Sequence, residues 1–362
     1  MTSRERVLAA VALAEPDRIP CSYHAMELVN KRLCNKNGIT NYCQLLEWIG
    51  SDMVDIRGTV DPIWVADFPK FELLESGMRR SYMGYILKKV ETQFGEIEEH
   101  AGYELSKATS IDDMGKFKFP KADWFNFKDI AQSLKLFSGF CIMASGASIY
   151  QQAALVRGLD GILCDMISDE EMANYLIDKY TNFQLDYFER LFSYDDGMID
   201  ILRIADDLGM QHTQLFSLDL AKKHIFPRLK KFTELAHSYG KKVMLHSCGS
   251  IVPFIEDIIE CGVDILDPIQ PLATGMDLAK LKDSFGSRIC FHGSIDTQYT
   301  LPRGTAEEVK KEVFSRMSIF GKSGGFIVAP SHILQPDVPD ENIMALYQGV
   351  KEYNSEIKCD FT

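Results

Sequence analysis

Apolar and polar positions fall into blocks along this chain, and the pattern becomes regular beyond residue 139. From there, short apolar runs of strand length recur, each followed by a longer stretch with helical spacing. The strand-like runs are Phe140–Ala144, Met198–Ala205, 242–247, Val263–Leu266, Ser287–Phe291 and Phe326–Ala329. The helical stretches are 169–193, 220–238, Pro253–Cys261, 277–285, Glu307–Phe320 and a final one from Pro339. That alternation is the βα signature of a parallel sheet. Earlier in the chain, Thr2 and Glu5 make a capping box before Val7, Leu8, Val11 and Ala12, which predicts a first helix. Cys21–Tyr23 and Met53–Arg57 read as two more strands, with a helix over 42–49 between them.

Residues 60–138 break the rhythm. Pro62, Trp64, Phe68, Pro69 and Phe71 form an aromatic loop, Tyr82–Val90 and Gly95–His100 alternate like a hairpin, and Thr109–Asp113 opens a capped helix. Trp64, Phe68 and Tyr82 suit either a lid or a small satellite core. Eight strands in all predict an α/β (β/α)8 TIM barrel, one domain over 1–362, with an insertion after the second strand. The alternative is an open doubly wound sheet, but no G-x-G-x-x-G follows the first strand and no Walker A occurs.

A net charge of −13 argues against nucleic acid and anionic membrane surfaces as partners. Nine cysteines at irregular spacings, with no CxxC, predict a reduced, cytoplasmic protein in which most thiols are small core residues. The first residues carry no signal-peptide pattern, and no apolar run reaches membrane-spanning length.

In a barrel, chemistry sits where the strands end. The polar residues there are Tyr23, His24, Arg57, Ser145, Asp206, Asp207, His246, Cys248, Asp267, Gln270, His292, Asp296, Ser331 and His332. Three of the eight histidines end late strands. In Val243–Ser250 the alternation of a strand puts His246 and Cys248 on one face, where an imidazole and a thiolate suit zinc. Each candidate also has a plain structural reading. Asp206 or Asp207 could cap a helix, Asp267-Pro268 could open a turn, His292 could be a satisfied core histidine, and Ser331-His332 could cap a loop.

Several motifs, in order, carry a resemblance. Thr2–Leu8 followed by Glu15–Pro20, His246–Ser250, Gly262–Gln270, His292–Gln298 and Ala329–His332 resemble the uroporphyrinogen decarboxylase superfamily, whose fold is a (β/α)8 barrel. True decarboxylases of that family carry an Arg-rich segment after the first strand. Here Cys21–Glu27 has no Arg, and Glu27 would repel a polyanion, so uroporphyrinogen is not the expected substrate. The other branch, cobalamin-dependent methyltransferases, holds zinc with a His-x-Cys and a later Cys at the last strand. His246 and Cys248 match, but the last strand ends in Ser331-His332 without a Cys.

The resemblance therefore implies a zinc-dependent methyltransferase of a corrinoid demethylation system, served by a separate corrinoid protein. His246 and Cys248 would bind zinc, with His332 and Asp267 as further ligands. Asp206 and His292 are the expected catalytic residues, and Tyr23, His24, Asp207, Gln270 and Gln335 the expected substrate contacts. A small-molecule methyl donor or acceptor and a homodimer complete that expectation. The rival is a metal-independent decarboxylase or lyase on the same barrel, with Asp206 and His292 in acid–base roles. A third reading is a binding protein that has lost catalysis.

Overall fold

The computed structural model describes residues 1–321 and 323–360, apart from the side chains of 357–360. Its centre is a parallel sheet of seven strands in sequential order. These are β1 (Met53–Asp55), β2 (Cys141–Ala147), β3 (Ile201–Ala205), β4 (Lys242–His246), β5 (Ile265–Ile269), β6 (Cys290–Ile295) and β7 (Phe326–Pro330). β5, β6 and β7 are buried along their whole length, as strands covered on both faces must be.

The two edges of this sheet meet through one short segment. Ser22 N donates to Val328 O at 3.0 Å, and Val328 N donates to Pro20 O at 3.0 Å. On the other side, Asp52 N donates to Cys21 O at 2.8 Å. The expected first strand thus lies between β1 and β7, although only Cys21 and Ala25 make isolated bridges there.

The first helix, Ser3–Val11, has the predicted capping box between Thr2 and Glu5. Its Val7, Ala10 and Val11 pack against Met53, Cys141, Met143, Ile201, Met244, Ile265, Cys290 and Ile327. Every one of the seven strands contributes to that cluster, so the helix plugs one end of the sheet. A buried ion network holds the plug. Asp52 accepts from Arg6 at 2.7 Å, from Arg18 at 2.7 and 2.8 Å, from Ser3 Oγ at 2.9 Å and from Cys21 N at 3.0 Å. Asp52 is fully buried, which is tolerable only because all these donors converge on it.

Between β1 and β2 the chain builds a separate layer. It holds a four-stranded antiparallel sheet, including the hairpin Tyr85–Thr92 and Gly95–Tyr103, and a two-stranded one. Trp64, Phe68, Tyr82, Trp124 and Phe125 pack edge to face. Trp64 and Tyr82 also pack against the main core, which Phe125 joins, so the cluster is continuous with that core and not a separate satellite.

Among helices of eight residues or more, three were not legible from periodicity: Glu27–Asn37, Tyr150–Arg157 and Leu159–Ser168. The first buries only Val29 and Leu33, too sparse a stripe to stand out. The other two are separated by Gly158 at φ +90°, a left-handed position that interrupts any continuous pattern. The cysteine expectation needs correcting. Of eight described cysteines only Cys21, Cys141 and Cys290 are buried; Cys34, Cys43, Cys248 and Cys261 are half-buried and Cys164 is exposed. Apolar neighbours in sequence do not fix which way a helical or loop thiol points. All eight are free thiols, and the Cys359 side chain lies outside the described residues. Among the described residues no helix is long and apolar enough to cross a membrane.

Asp52→Ala would leave the buried Arg6 with Asp17 as its only carboxylate partner and strip Arg18 and Cys21 N of their acceptor, at a cost of about 3–5 kcal/mol. A urea titration should show the midpoint fall accordingly; a variant as stable as the unaltered chain would refute the plug's dependence on this network.

Candidate metal and substrate site

The C-terminal ends of the strands carry the site. β4 ends in His246, and the chain turns at once so that Cys248 comes back beside it. The turn is held by backbone bonds. Cys248 N donates to Asp207 Oδ1 at 2.8 Å, and Gly249 N donates to Gln270 Oε1 at 2.8 Å. Gly249 has φ +87°, and a Cβ there would meet Gly209 and Met210 backbone atoms at 2.6–2.7 Å, so no larger residue fits.

His246 Nε2 lies 3.5 Å from Cys248 Sγ. His332, at the rim after β7, brings a third donor atom, and the three lie within 4.8 Å of one another. Tetrahedral zinc with bonds of about 2.3 Å to sulfur and 2.0–2.1 Å to nitrogen separates those atoms by roughly 3.6 Å. The His246–Cys248 pair is therefore spaced as zinc requires.

Asp267 stands behind this trio instead of joining it. Its Oδ2 is 2.7 Å from His246 Nδ1 and 3.1 Å from Arg203, and its Oδ1 is 2.7 Å from His292 Nδ1. A carboxylate held by three such groups stays ionised, and its pKa lies well below the usual value: burial opposes this, and His292, Arg203 and His246 override it. An ionised carboxylate only accepts, so both histidines carry a proton on Nδ1. His246 turns its Nε2 towards Cys248, and the His292 Nε2 is buried. The carboxylate nearest the three donors is Asp207, whose Oδ1 is 3.8 Å from His246 Nε2. Burial, with Asp207 and Asp267 adding to it, pushes the Cys248 thiol well above its ordinary value.

A chamber of about 210 Å³ adjoins the trio. Ser22, His24, Arg203, His246, Asp267, His292 and His332 supply its polar wall, and Met143, Ala329, Pro330 and Ile333 its apolar one. Burial pulls the His24 imidazole down to about 4, against the attraction of Asp55. Desolvation, and then His246, also lowers His332. His24, Arg203 and Ile333 also line an adjacent outer cleft of about 850 Å³, with Tyr42, Asp55 and Arg57.

The predicted residues divide. His24, His246, Asp267, His292 and His332 line the chamber. Tyr23 turns into the core, where its hydroxyl donates to Asn30 at 2.7 Å and its ring packs on Tyr347. Gln270 supports the Cys248–Gly249 turn. Gln335 is exposed beyond the rim, and Ser331 donates to Ile269 O. Asp206 is fully enclosed and accepts from Ile149 N, Gln151 N and Ser148 Oγ at the start of the helix Tyr150–Arg157. It thus satisfies the first N–H groups of a helix earlier in the chain, whose own N-cap is Ile149, and does not itself cap a helix after its strand. Asp207 takes Gln151 Nε2 as well as Cys248 N. Arg203 was missed from sequence; its signal is a lone cation inside the apolar run Ile201–Ala205.

The uroporphyrinogen decarboxylase (URO-D) family pattern matches residues 126–353, more than half of the chain. The chain belongs to this family. A methylcobamide:CoM methyltransferase MtaA from Methanosarcina barkeri is 28% identical over 209 residues, 55% of this chain and 58% of that protein. A uroporphyrinogen decarboxylase from Chlorobaculum tepidum is 30% identical over 195 residues, 53% of this chain and 52% of that one. The matched stretch thus spans little more than half the length of these relatives. Across the full length, the fold is like that of a methyltransferase from Methanosarcina mazei, with a TM-score of 0.67 at 19% identity, covering 98% of this chain and 99% of that one. This member of the URO-D family keeps the His-x-Cys of β4 and sets His332 where the last strand ends.

Burial raises the Asp206 carboxyl from an ordinary 3.8 to about 7, against the backbone N–H groups of Gln151 and Ile149. The folded state therefore holds this proton more tightly than the unfolded chain. The resulting stability is full below the unfolded value and lost as pH rises through the folded one. Asp206→Asn removes that loss. Its stability relative to the unaltered chain should rise between about pH 4 and pH 7 and level off above, in urea titrations run across that range. A difference that stays flat across the window would exclude titration of Asp206 there.

Proposed function

We propose that this protein is a zinc-dependent methyltransferase that works with a separate corrinoid protein, on a (β/α)8 barrel whose first strand is the segment around Cys21 and whose layer over 60–138 is an insertion. The observation that carries the reading is the trio His246, Cys248 and His332, backed by Asp267. The likeness to a methylcobamide:CoM methyltransferase supports the same direction. His246 Nε2, Cys248 Sγ and His332 would hold the metal, and Asp207 is the nearest carboxylate to complete the set. Zinc held there would supply Lewis acidity, which favours the ionised form of an acceptor.

The chain's own residues do the rest. Asp267 fixes the His246 tautomer and ring orientation, the role a carboxylate plays behind a metal-bound histidine. Arg203 donates to the same Asp267 oxygen as His246, and His292 holds the other oxygen, so the carboxylate is fixed on both sides. Cys248 gives up its proton only against burial and two nearby carboxylates, so metal uptake should be favoured by rising pH. His24 and His292 face the small molecule in the chamber. The outer cleft, about 850 Å³, gives a corrinoid partner access from the mouth. The trio contains one thiolate, where two sulfur ligands mark the methyltransferase branch that the sequence resembles. That makes the metal harder and suits oxygen acceptors or donors as well as thiols. The metal-free decarboxylase reading has less support, because the Asp206 oxygens are occupied by the turn at Ser148–Gln151.

The test is elemental analysis of purified full-length protein together with loss of the methyl–cobalt absorption of methylcobalamin. About one zinc per chain is expected, falling to background in Cys248→Ala along with methyl transfer. His332→Ala should weaken zinc binding by about 10–100-fold. A folded, zinc-supplied protein without metal would sink this reading.

A further inference from the structure

We propose that Gln151 is a positioning residue for the metal site: its side-chain amide holds Asp207 in place as the fourth ligand. This rests on the metal trio of the methyltransferase reading and names what governs the remaining coordination position.

Three donors leave one corner of a tetrahedral zinc site to a fourth ligand. Asp207 Oδ1 is 3.8 Å from His246 Nε2. An oxygen and a nitrogen bound to one zinc are roughly 3.4 Å apart, so only a small inward shift separates the two arrangements. The charge of Asp207 also acts on Cys248 and His332, the other two donors. Both oxygens of this carboxylate are already directed. Cys248 N donates to Oδ1 at 2.8 Å, and Gln151 Nε2 donates to Oδ2 at 2.9 Å. A carboxylate oxygen has two lone pairs, so Oδ1 can keep its backbone bond while it ligates.

Gln151 is itself anchored from the same strand end. Its backbone N donates to Asp206 Oδ1 at 2.9 Å, and the hydroxyl of the neighbouring Tyr150 donates to the Asp207 carbonyl. Tyr150-Gln151, at the start of a helix, is thus locked against Asp206-Asp207 just beyond β3. Both the Gln151 and the Asp207 side chains line a cleft of about 650 Å³, and Asp207 is 37% exposed. Water therefore competes for this carboxylate, and without the Gln151 donor it gains by turning outward. A hydrogen bond to the carboxylate is the usual means of keeping such a ligand on its metal.

The test measures zinc affinity of the full chain by competition with a chromophoric chelator, together with the visible spectrum of its cobalt(II) form. Gln151→Leu leaves the backbone bond to Asp206 in place and should weaken zinc binding by about 10–100-fold. In an Asp207→Ala background the same change should alter zinc affinity by less than about twofold, because the two residues act through one contact. Asp207→Asn keeps an acceptor for Cys248 N and serves as the background if the alanine variant fails to fold. The cobalt(II) bands of Gln151→Leu should move toward those of the Asp207 variant, as loss of the same oxygen ligand requires. An equal loss of affinity in both backgrounds, no loss in Gln151→Leu, or an Asp207 variant that binds zinc as tightly as the unaltered chain would each overturn the proposal. Coupling between the two residues in a zinc-loaded chain that leaves methylcobalamin intact keeps this inference and removes the methyltransferase reading. Methyl transfer by a zinc-loaded chain without the coupling does the reverse, and a chain that takes up no zinc overturns both.

Discussion

The Asp267 carboxylate is the constraint on which the site depends. One residue within β5 fixes His246 on β4, His292 on β6 and Arg203 on β3, so four adjacent strands are tied together by a single charge. Burying that charge is expensive, and only the convergence of these partners makes it tolerable. In return, the carboxylate orients two imidazoles at once through their Nδ1 atoms. One points its Nε2 at Cys248, and the other stands in the chamber wall with its Nε2 buried.

The opposite end of the sheet uses the same physics for another purpose. Asp52 is as buried as Asp267, but its partners Arg6, Arg18 and Ser3 lie in the N-terminal segment. There the charge anchors the helix Ser3–Val11 as a plug under all seven strands. Stability is concentrated at the base and polar chemistry at the rim, the division expected of parallel α/β architecture. Met143 belongs to both ends, packing on the plug cluster below and flooring the chamber above.

The region between β1 and β2 lies almost wholly ahead of the family match, which begins at residue 126. Its aromatic cluster around Trp64 and Trp124 packs against the main core, which Phe125 joins. It also reaches the rim: His100 Nε2 meets Leu155 O at 2.8 Å on the helix Tyr150–Arg157, whose N-terminal N–H groups donate to Asp206.

The sequence by itself determined the alternation of strand and helix, the capping box at Thr2, and the placing of His246 and Cys248 on one face, because these follow from periods of two and 3.6 residues. It also marked the strand ends as the place to look, and His24, His292 and His332 lie there. Only the tertiary structure decided which polar strand ends face the chamber. Tyr23 and His24 are neighbours, yet one is sealed against Tyr347 and the other lines the cavity, a difference set by packing. Asp206 and Asp207 likewise part, one accepting from the start of an earlier helix and the other supporting the Cys248 turn. Asp267 could be read as a ligand from its position in the chain. Its place behind His246, and its link to Arg203 and His292, depends on the pairing of strands 20 to 60 residues apart, which no local pattern encodes.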